Sequence, residues 1–315
     1  MKDFVEELRL AFGPARVWEQ RPLAPLTTLR VGGAAEILVE TRSSDEMVTA
    51  LALARQRAVP VTLLGSGSNV LVSDRGVRGL VIRPRGGSVF EMDEEHVRAD
   101  AAVSMNGLVR WTVLHGLGGI ESWAGTPGTI GGAIHGNAHF GGRLIGDLIT
   151  DARVVTAAGD VIDVPAGDMG FGYDRSRLQH SNEVLLWATF RVARTDSEAL
   201  RTAARESLAY RKRTQPLDTP SAGCAFQNPQ PSRDSVPDGI PWSAGALIDR
   251  AGLKGYAVGG ARVSTVHGNF IVNEGGATAA DIRALLERCR EEVRQQFGVE
   301  LRDEIVQLGE PSAVA

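Results

Sequence analysis

The sequence predicts an α+β protein built as two domains, and three observations carry that reading. Over the first 195 residues, short apolar runs alternate with segments of helical spacing. Near Thr195 the chain turns into a charged helix and then a section rich in Pro, Gly and Ser between 216 and 241. The C-terminal part is regular again, with strand, long helix and strand in succession. A boundary at 197/198 leaves a larger domain, 1–197, of two α+β subdomains, and a smaller α+β domain, 198–315.

Each element has its own signal. "AEILVET" (35–41) reads as a strand. "SSDEMVTALALARQRA" reads as a helix, with Ser43 and Glu46 fitting a capping box. "VPVTLLG" and "GLVIRPR" are strands, separated by "SGSN" and "VLVSDRG". "HVRADAAV" feeds the helix "SMNGLVRWTVLHGLGG", with Ser104 as N-cap and glycine at its end. "DARVVTAAGDVIDVP" is a hairpin about a Gly-Asp turn, and "NEVLLWATFRVAR" is a buried strand. "DSEALRTAARESLAYRKRTQP" is a helix ending before Pro216. "GNFIVNEGG" is a strand, "TAADIRALLERCREEVRQQFG" a helix capped by Thr278, and "VELRDEIVQLG" a closing strand.

Composition excludes several classes of function. Of 315 residues 43% are hydrophobic and 23% charged, and the net charge is −4. No broad positive field exists for nucleic acid or an anionic membrane. The longest apolar runs, such as "VLLWATF", fall far below the roughly 18 residues that span a bilayer. The start, "MKDFVEELRLAFG", is charged throughout, unlike a secretory signal. Cys224 and Cys289 lack metal-ligand spacing and suit a reducing compartment, so a cytoplasmic location is expected; the protein is separately expected to be a monomer. Lysine occurs only at Lys2, Lys212 and Lys254.

Two glycine-rich loops stand out. "LGSGSN" (64–69) follows an apolar strand, and successive N–H groups in such a turn make an anion-binding nest. "GTPGTIGGAIHGNAHFGG" (125–142) holds seven glycines in eighteen residues. Neither is a dinucleotide fingerprint or a Walker A loop, since the third glycine of the one and the Gly-Lys-Ser/Thr of the other are missing. A pair of such loops, rich in Ser, Thr and Asn, points to a ligand carrying a diphosphate.

The order and spacing of several motifs resemble the UDP-N-acetylenolpyruvoylglucosamine reductase family. They are "TTLRVGGAAE" (27–36), "LLGSGSNVLVSDRGVRGLVI" (63–82), "GLGGIESWAGTPGTIGGAIHGNA" (116–138), "SAGCAFQNP" (221–229), "AGALIDRAGLKG" (244–255), "HGNFIVN" (267–273) and "LRDEIVQLG" (301–309). They cover about residues 25–309. The resemblance implies an FAD-binding domain of the vanillyl-alcohol-oxidase (PCMH) type, with FAD held non-covalently and NADPH as co-substrate. Arg30, Gly65, Ser66, Gly67, Ser68 and Asn69 would wrap the cofactor, together with Thr126, Pro127, Gly128, Thr129, Gly131, Gly132, Ala133 and Asn137. The glycines would let the backbone approach the cofactor, where a Cβ would collide.

The family's chemistry reduces an enolpyruvyl ether to UDP-N-acetylmuramate, in cell-wall precursor synthesis. It needs a cation for the carboxylate, an acid to protonate the adjacent carbon, and a group that assists the acid. The acid position of the family is a serine and here is Cys224, whose thiol is the easier proton donor, with a free pKa near about 8.5. Glu304 matches the assisting carboxylate, with Asp303 beside it as the result of a one-residue misregister. The family pattern Tyr-Arg-x-Ser reads here as Tyr173-Asp174-Arg175-Ser176. Either the backbone shifts by one residue so that Arg175 serves, or Arg177 or another arginine replaces it; Arg175 is the expected cation. Gln227 stands where the family has lysine. Tyr173, Asn228, Lys254 and Asn269 are expected to bind substrate, and the short 191–220 stretch matches the family's shorter subtype.

His135, His139 and His267 lie near glycine loops, but no metal is expected, because no ligand spacing is present and no Cys or carboxylate joins them. His139 stands where the family usually has glycine. Two other readings keep the fold: a flavin oxidase or dehydrogenase acting on another substrate, and a non-catalytic homologue that binds flavin or nucleotide sugar.

Overall fold

The computed structural model describes residues 1–310. The chain divides into two compact units. The first comprises Met1–Glu19, Ile37–Ser66 and Gly79–Tyr210; the second comprises Gln20–Glu36, Gly67–Arg78 and the described residues from Arg211 on. The second unit thus draws in two segments from the N-terminal half of the sequence.

The first unit holds two cores. One is built on helix α1 (Lys2–Phe12), which buries Phe4, Val5, Leu8 and Phe12 at helical spacing, and on helix α2 (Ser44–Gln56), which buries Met47, Ala50 and Ala54. Ser43 caps α2 by accepting the Glu46 N–H at 3.1 Å. The expected capping box is only half formed: the Glu46 carboxylate accepts the Arg42 N–H and meets Arg16 at 2.6 Å. In this region Val61–Leu63 and Val77–Pro84 pair in parallel, Val61 opposite Leu80.

The other core lies against a five-stranded antiparallel sheet, in the order Val161–Pro165, Ile149–Val155, Val184–Arg191, His96–Asp100, Val89–Glu91. Its first two strands are the expected hairpin, and the apolar run "VLLWATF" is its central strand. Helix α3 (Met105–Leu114) starts at Ser104, whose Oγ accepts the Gly107 N–H at 3.0 Å. The glycine-rich stretch is not all loop: Ile130–His135 form a short helix, α4, capped by Thr129. Trp123, Phe190 and Ile130 are fully buried in this core. Helix α5 spans Ser197–Thr214.

In the second unit an antiparallel sheet runs Ser221–Cys224, Phe270–Asn273, Ala261–Val263, Ala257–Val258. Helices α6 (Ala244–Arg250) and α7 (Ala279–Phe297) accompany it, with Phe226, Leu247, Leu285 and Leu286 in the core. Leu29, Val31 and Leu71 bury in the same core, which explains why their segments join this unit. The closing strand is shorter than expected. Only Val306–Leu308 pair, in parallel with Val70–Val72, while 299–305 is irregular.

Helix α7 begins with a full capping box between Thr278 and Asp281 and gains a second anion. The Asp74 carboxylate accepts the N–H groups of Ala279 and Ala280 at 2.8 and 3.0 Å. It thereby satisfies two N-terminal donors and complements the helix dipole. Asp74→Ala is expected to lower stability by about 1–2 kcal/mol, with Asp74→Asn intermediate, as read by urea unfolding.

Candidate active site

In the loop 64–69, Leu64 donates its N–H to Ile82 at 2.9 Å. Among the described residues, none of the N–H groups of 65–69 donates to a protein acceptor. The Ser66 hydroxyl is buried and also lacks a hydrogen-bond partner. Buried polar groups are normally satisfied, so this set of orphan donors fits a ligand with anionic oxygens. A side chain at Gly65 would lie 2.7 Å from the Thr129 hydroxyl, so the loop and the α4 cap approach closely. The residues present therefore fit the diphosphate of FAD.

The second glycine stretch is sewn to its own unit. Gly131 and Ile130 donate to Ala101 and Val103 at 2.9 and 2.8 Å, and Gly128 accepts from Met105 at 3.0 Å. Asn106 accepts the Gly125 N–H at 2.7 Å and donates to Thr126 O at 3.2 Å, a role with no signature in the sequence. At Gly131 a Cβ would meet Ala101 O at 3.3 Å, a tight contact with the protein's own backbone. Gly132 has room for a Cβ, its nearest neighbour being the Thr129 hydroxyl at 3.6 Å, so nothing in the chain explains it. Of the neighbours, Ala133 is buried and Pro127 exposed.

Asn137 is fully buried with a φ of 45°. Its amide donates to Gly172 O at 2.7 Å and accepts the Gly146 N–H at 2.8 Å. It fastens the turn Gly172–Arg175, closed by two backbone hydrogen bonds of 3.0 and 3.1 Å between its end residues. Ser176 donates to His135 O at 2.7 Å. This turn replaces the extended chain assumed from the sequence. Tyr173 stands at its corner, Asp174 takes a φ of 50°, and Arg175 is exposed. The Asp174 side chain is only 9% exposed and lies 3.0 Å from His139 Nδ1. The expectation that no carboxylate joins the histidines is thus overturned at His139. Arg177 is engaged by Glu183 through two contacts of 2.7 and 2.6 Å.

In the second unit Cys224 ends its strand, half-buried. The next residues are clamped by Asn269, itself buried. Ala225 N–H donates to Asn269 O (2.7 Å), Phe226 N–H to its Oδ1 (2.9 Å), and Asn269 Nδ2 returns a bond to Phe226 O (2.7 Å). Glu304 N–H donates to Ala225 O at 2.9 Å, so the segments carrying Cys224 and Glu304 lie side by side. Asn69 Nδ2 donates to Glu304 O at 3.0 Å. Asp303 pairs with Arg290. Asn228 Oδ1 accepts the first N–H of α6, from Ala244, at 3.0 Å. Gln227 accepts from Arg233 at 3.3 Å, and Arg233 and Arg302 both pair with Asp234. Lys254 pairs with Asp249 at 2.8 Å. Arg30 is exposed, with a φ of 57°.

Arg211 is the residue that sequence reasoning missed here. It sits in "YRKR", which reads as a solvated helix face, yet it is only 6% exposed. Burial pulls its guanidinium down to about 10, with the charge interaction with Cys224 acting the other way. Burial likewise pushes the Cys289 thiol up to about 12.

Comparison with known proteins places this geometry. Residues 215–308 match the model for the UDP-N-acetylenolpyruvoylglucosamine reductase C-terminal domain, and residues 35–165 match an FAD binding domain. A UDP-N-acetylenolpyruvoylglucosamine reductase of Bacillus velezensis is 36% identical over 98% of this chain and 99% of its own length. One from Trichormus variabilis is 40% identical over 92% of this chain and 86% of its own. The chain belongs to the UDP-N-acetylenolpyruvoylglucosamine reductase family. A crystal structure of the reductase from Thermus caldophilus superposes with a TM-score of 0.76 at 33% identity, covering 93% of this chain and 99% of that one. The family's fold is therefore the one described above: an FAD binding domain with a C-terminal α+β domain. No helix among the described residues is long and apolar enough to cross a membrane.

The two thiols differ enough to be told apart chemically. Thiolate is the nucleophile, and Cys289 is both buried and held protonated. At pH 8 iodoacetamide is expected to label the native protein once, at Cys224, and to reach Cys289 only after denaturation, as read by peptide mass mapping.

Proposed function

We propose that this chain reduces UDP-N-acetylenolpyruvoylglucosamine to UDP-N-acetylmuramate, with FAD as bound cofactor and NADPH as the source of electrons. The observation that carries the reading is the near full-length family match, joined to a backbone that sets Cys224 beside Glu304. The first domain, 1–197, takes the cofactor role and the second, 198–315, the substrate role. The enzyme works as a cytoplasmic monomer in peptidoglycan precursor synthesis.

The chain's own residues have distinct tasks. The orphan N–H groups of 65–69 and the Ser66 hydroxyl hold the cofactor's diphosphate. The 126–133 stretch would line the same cofactor, and Gly132, where a Cβ would meet nothing nearer than the Thr129 hydroxyl at 3.6 Å, would leave room for it. Asn137 acts there by fixing the turn at 172–175. FAD, when bound, supplies the hydride that reaches the terminal vinyl carbon. Charge then develops on the carbon beside the carboxylate, and Cys224 Sγ–H gives that carbon its proton. Glu304 assists the transfer from the adjoining segment. Arg175, exposed at the turn, offers its guanidinium to the carboxylate, and Tyr173, Asn228 and Lys254 serve the nucleotide sugar, whereas Asn269, buried with its amide bonded to Phe226, acts by holding residues 225–226 in place.

Anaerobic NADPH is expected to bleach the flavin absorbance, and the enolpyruvyl compound to restore it rapidly. Bleaching without recovery would point to another acceptor. Cys224→Ala should leave the bleaching intact and slow the recovery by about 10² or more, the range of a lost general acid, while Cys224→Ser retains most of the rate.

A further inference from the structure

The reaction needs a positive donor for a carboxylate, and the structure offers three basic side chains around the turn 172–177. Arg177 is neutralised by two contacts to Glu183. Arg175 is exposed, and its guanidinium folds back toward Gly172, within 3.3–3.6 Å of where a Cβ there would lie. His139 is different. Its Nδ1 lies 3.0 Å from Asp174 Oδ1, and its ring packs on Tyr173 with centroids 4.9 Å apart. The histidine side chain is 28% exposed, and its Nε2 has no hydrogen-bond partner among the described residues.

Asp174 is held in a costly state. Its φ of 50° is unusual for a residue other than glycine, and its second carboxylate oxygen is buried without a hydrogen bond. A carboxylate so enclosed requires a cation, and among the described residues His139 is the basic group that reaches it. The carboxylate accepts the Nδ1–H and so fixes both the tautomer and the ring orientation. In the imidazolium form Nε2–H becomes a donor aimed away from Asp174, on a ring held from one side by Tyr173.

We infer that the His139–Asp174 pair is a substrate-anchoring dyad, in which His139 Nε2–H donates to the substrate's carboxylate and Asp174 positions the imidazole. The inference rests on the function proposed above and makes His139, rather than Arg175, the principal anchor of that carboxylate. No bond is made or broken in this step: the dyad binds the carboxylate and orients the vinyl group.

The test compares His139→Ala, Asp174→Asn, His139→Lys and Arg175→Ala as FAD-loaded proteins, in two half-reactions. His139→Ala is expected to raise the concentration of enolpyruvyl compound needed for half-maximal flavin reoxidation about tenfold or more, the scale of a lost charged hydrogen bond, with bleaching by NADPH within about twofold of wild type. Asp174→Asn should lie between the two, and His139→Lys should recover much of the loss. Retained flavin and normal bleaching exclude a folding defect. An unaltered half-saturation in His139→Ala, or a loss confined to Arg175→Ala, overturns the inference. A wild-type protein that is not reoxidised at all overturns the functional reading instead.

Discussion

The site of the second unit depends on one backbone pairing. Residues 225–227 and 302–304 are joined by the bonds Glu304 N–H to Ala225 O and Gln227 N–H to Arg302 O, each 2.9 Å, with Phe226 opposite Asp303. These segments are far apart in the chain, so closing the loop between them has an entropic cost that packing must offset. Phe226 is fully buried, and Leu301 and Ile305 flank the pairing from the same core. Asn269 satisfies the backbone groups of 225 and 226 that the pairing leaves over, which a buried bend requires. Cys224 and Glu304 lie on adjoining segments because of this arrangement.

The first unit solves a different problem. Four of its described residues other than glycine, Ala58, Asn137, Asp174 and Asn182, sit at positive φ, and two of them, Asn137 and Asp174, belong to the turn region of the candidate site. Each such position costs of order 1–3 kcal/mol and persists only where the surroundings over-determine it. Asn137 is over-determined by two short side-chain bonds inside the core, Asp174 by His139 and by Gln179, which donates to its carbonyl at 3.0 Å. The strain at these two positions lies beside residues to which the proposal gives a role.

Much of this was legible in the sequence, where the signals were local. Ser43, Ser104 and Thr278 read as N-caps and are N-caps, because the bonds they make reach only three residues along the chain. The hairpin at 151–165 and the central strand followed from β-branched runs. Glu46 misled, since Arg16 lies thirty residues away and outcompetes the box. The strand expected over 299–309 shrank to Val306–Leu308 because the preceding residues pair irregularly with 225–227. In the site, motif order singled out Cys224 and Glu304, and the glycine loops announced an anionic ligand. Arg211 and the His139–Asp174 pair left no trace. A buried arginine looks like any other in a charged helix, and a contact across 35 residues has no periodicity.

The central claim is that a side-chain acid of the second unit protonates the carbon beside the carboxylate while the hydride goes to the vinyl terminus. Running the reaction in D₂O with unlabelled NADPH and examining the product by NMR tests it most directly. The account predicts deuterium at the methine carbon beside the carboxylate. Protium retained at the methine would contradict it.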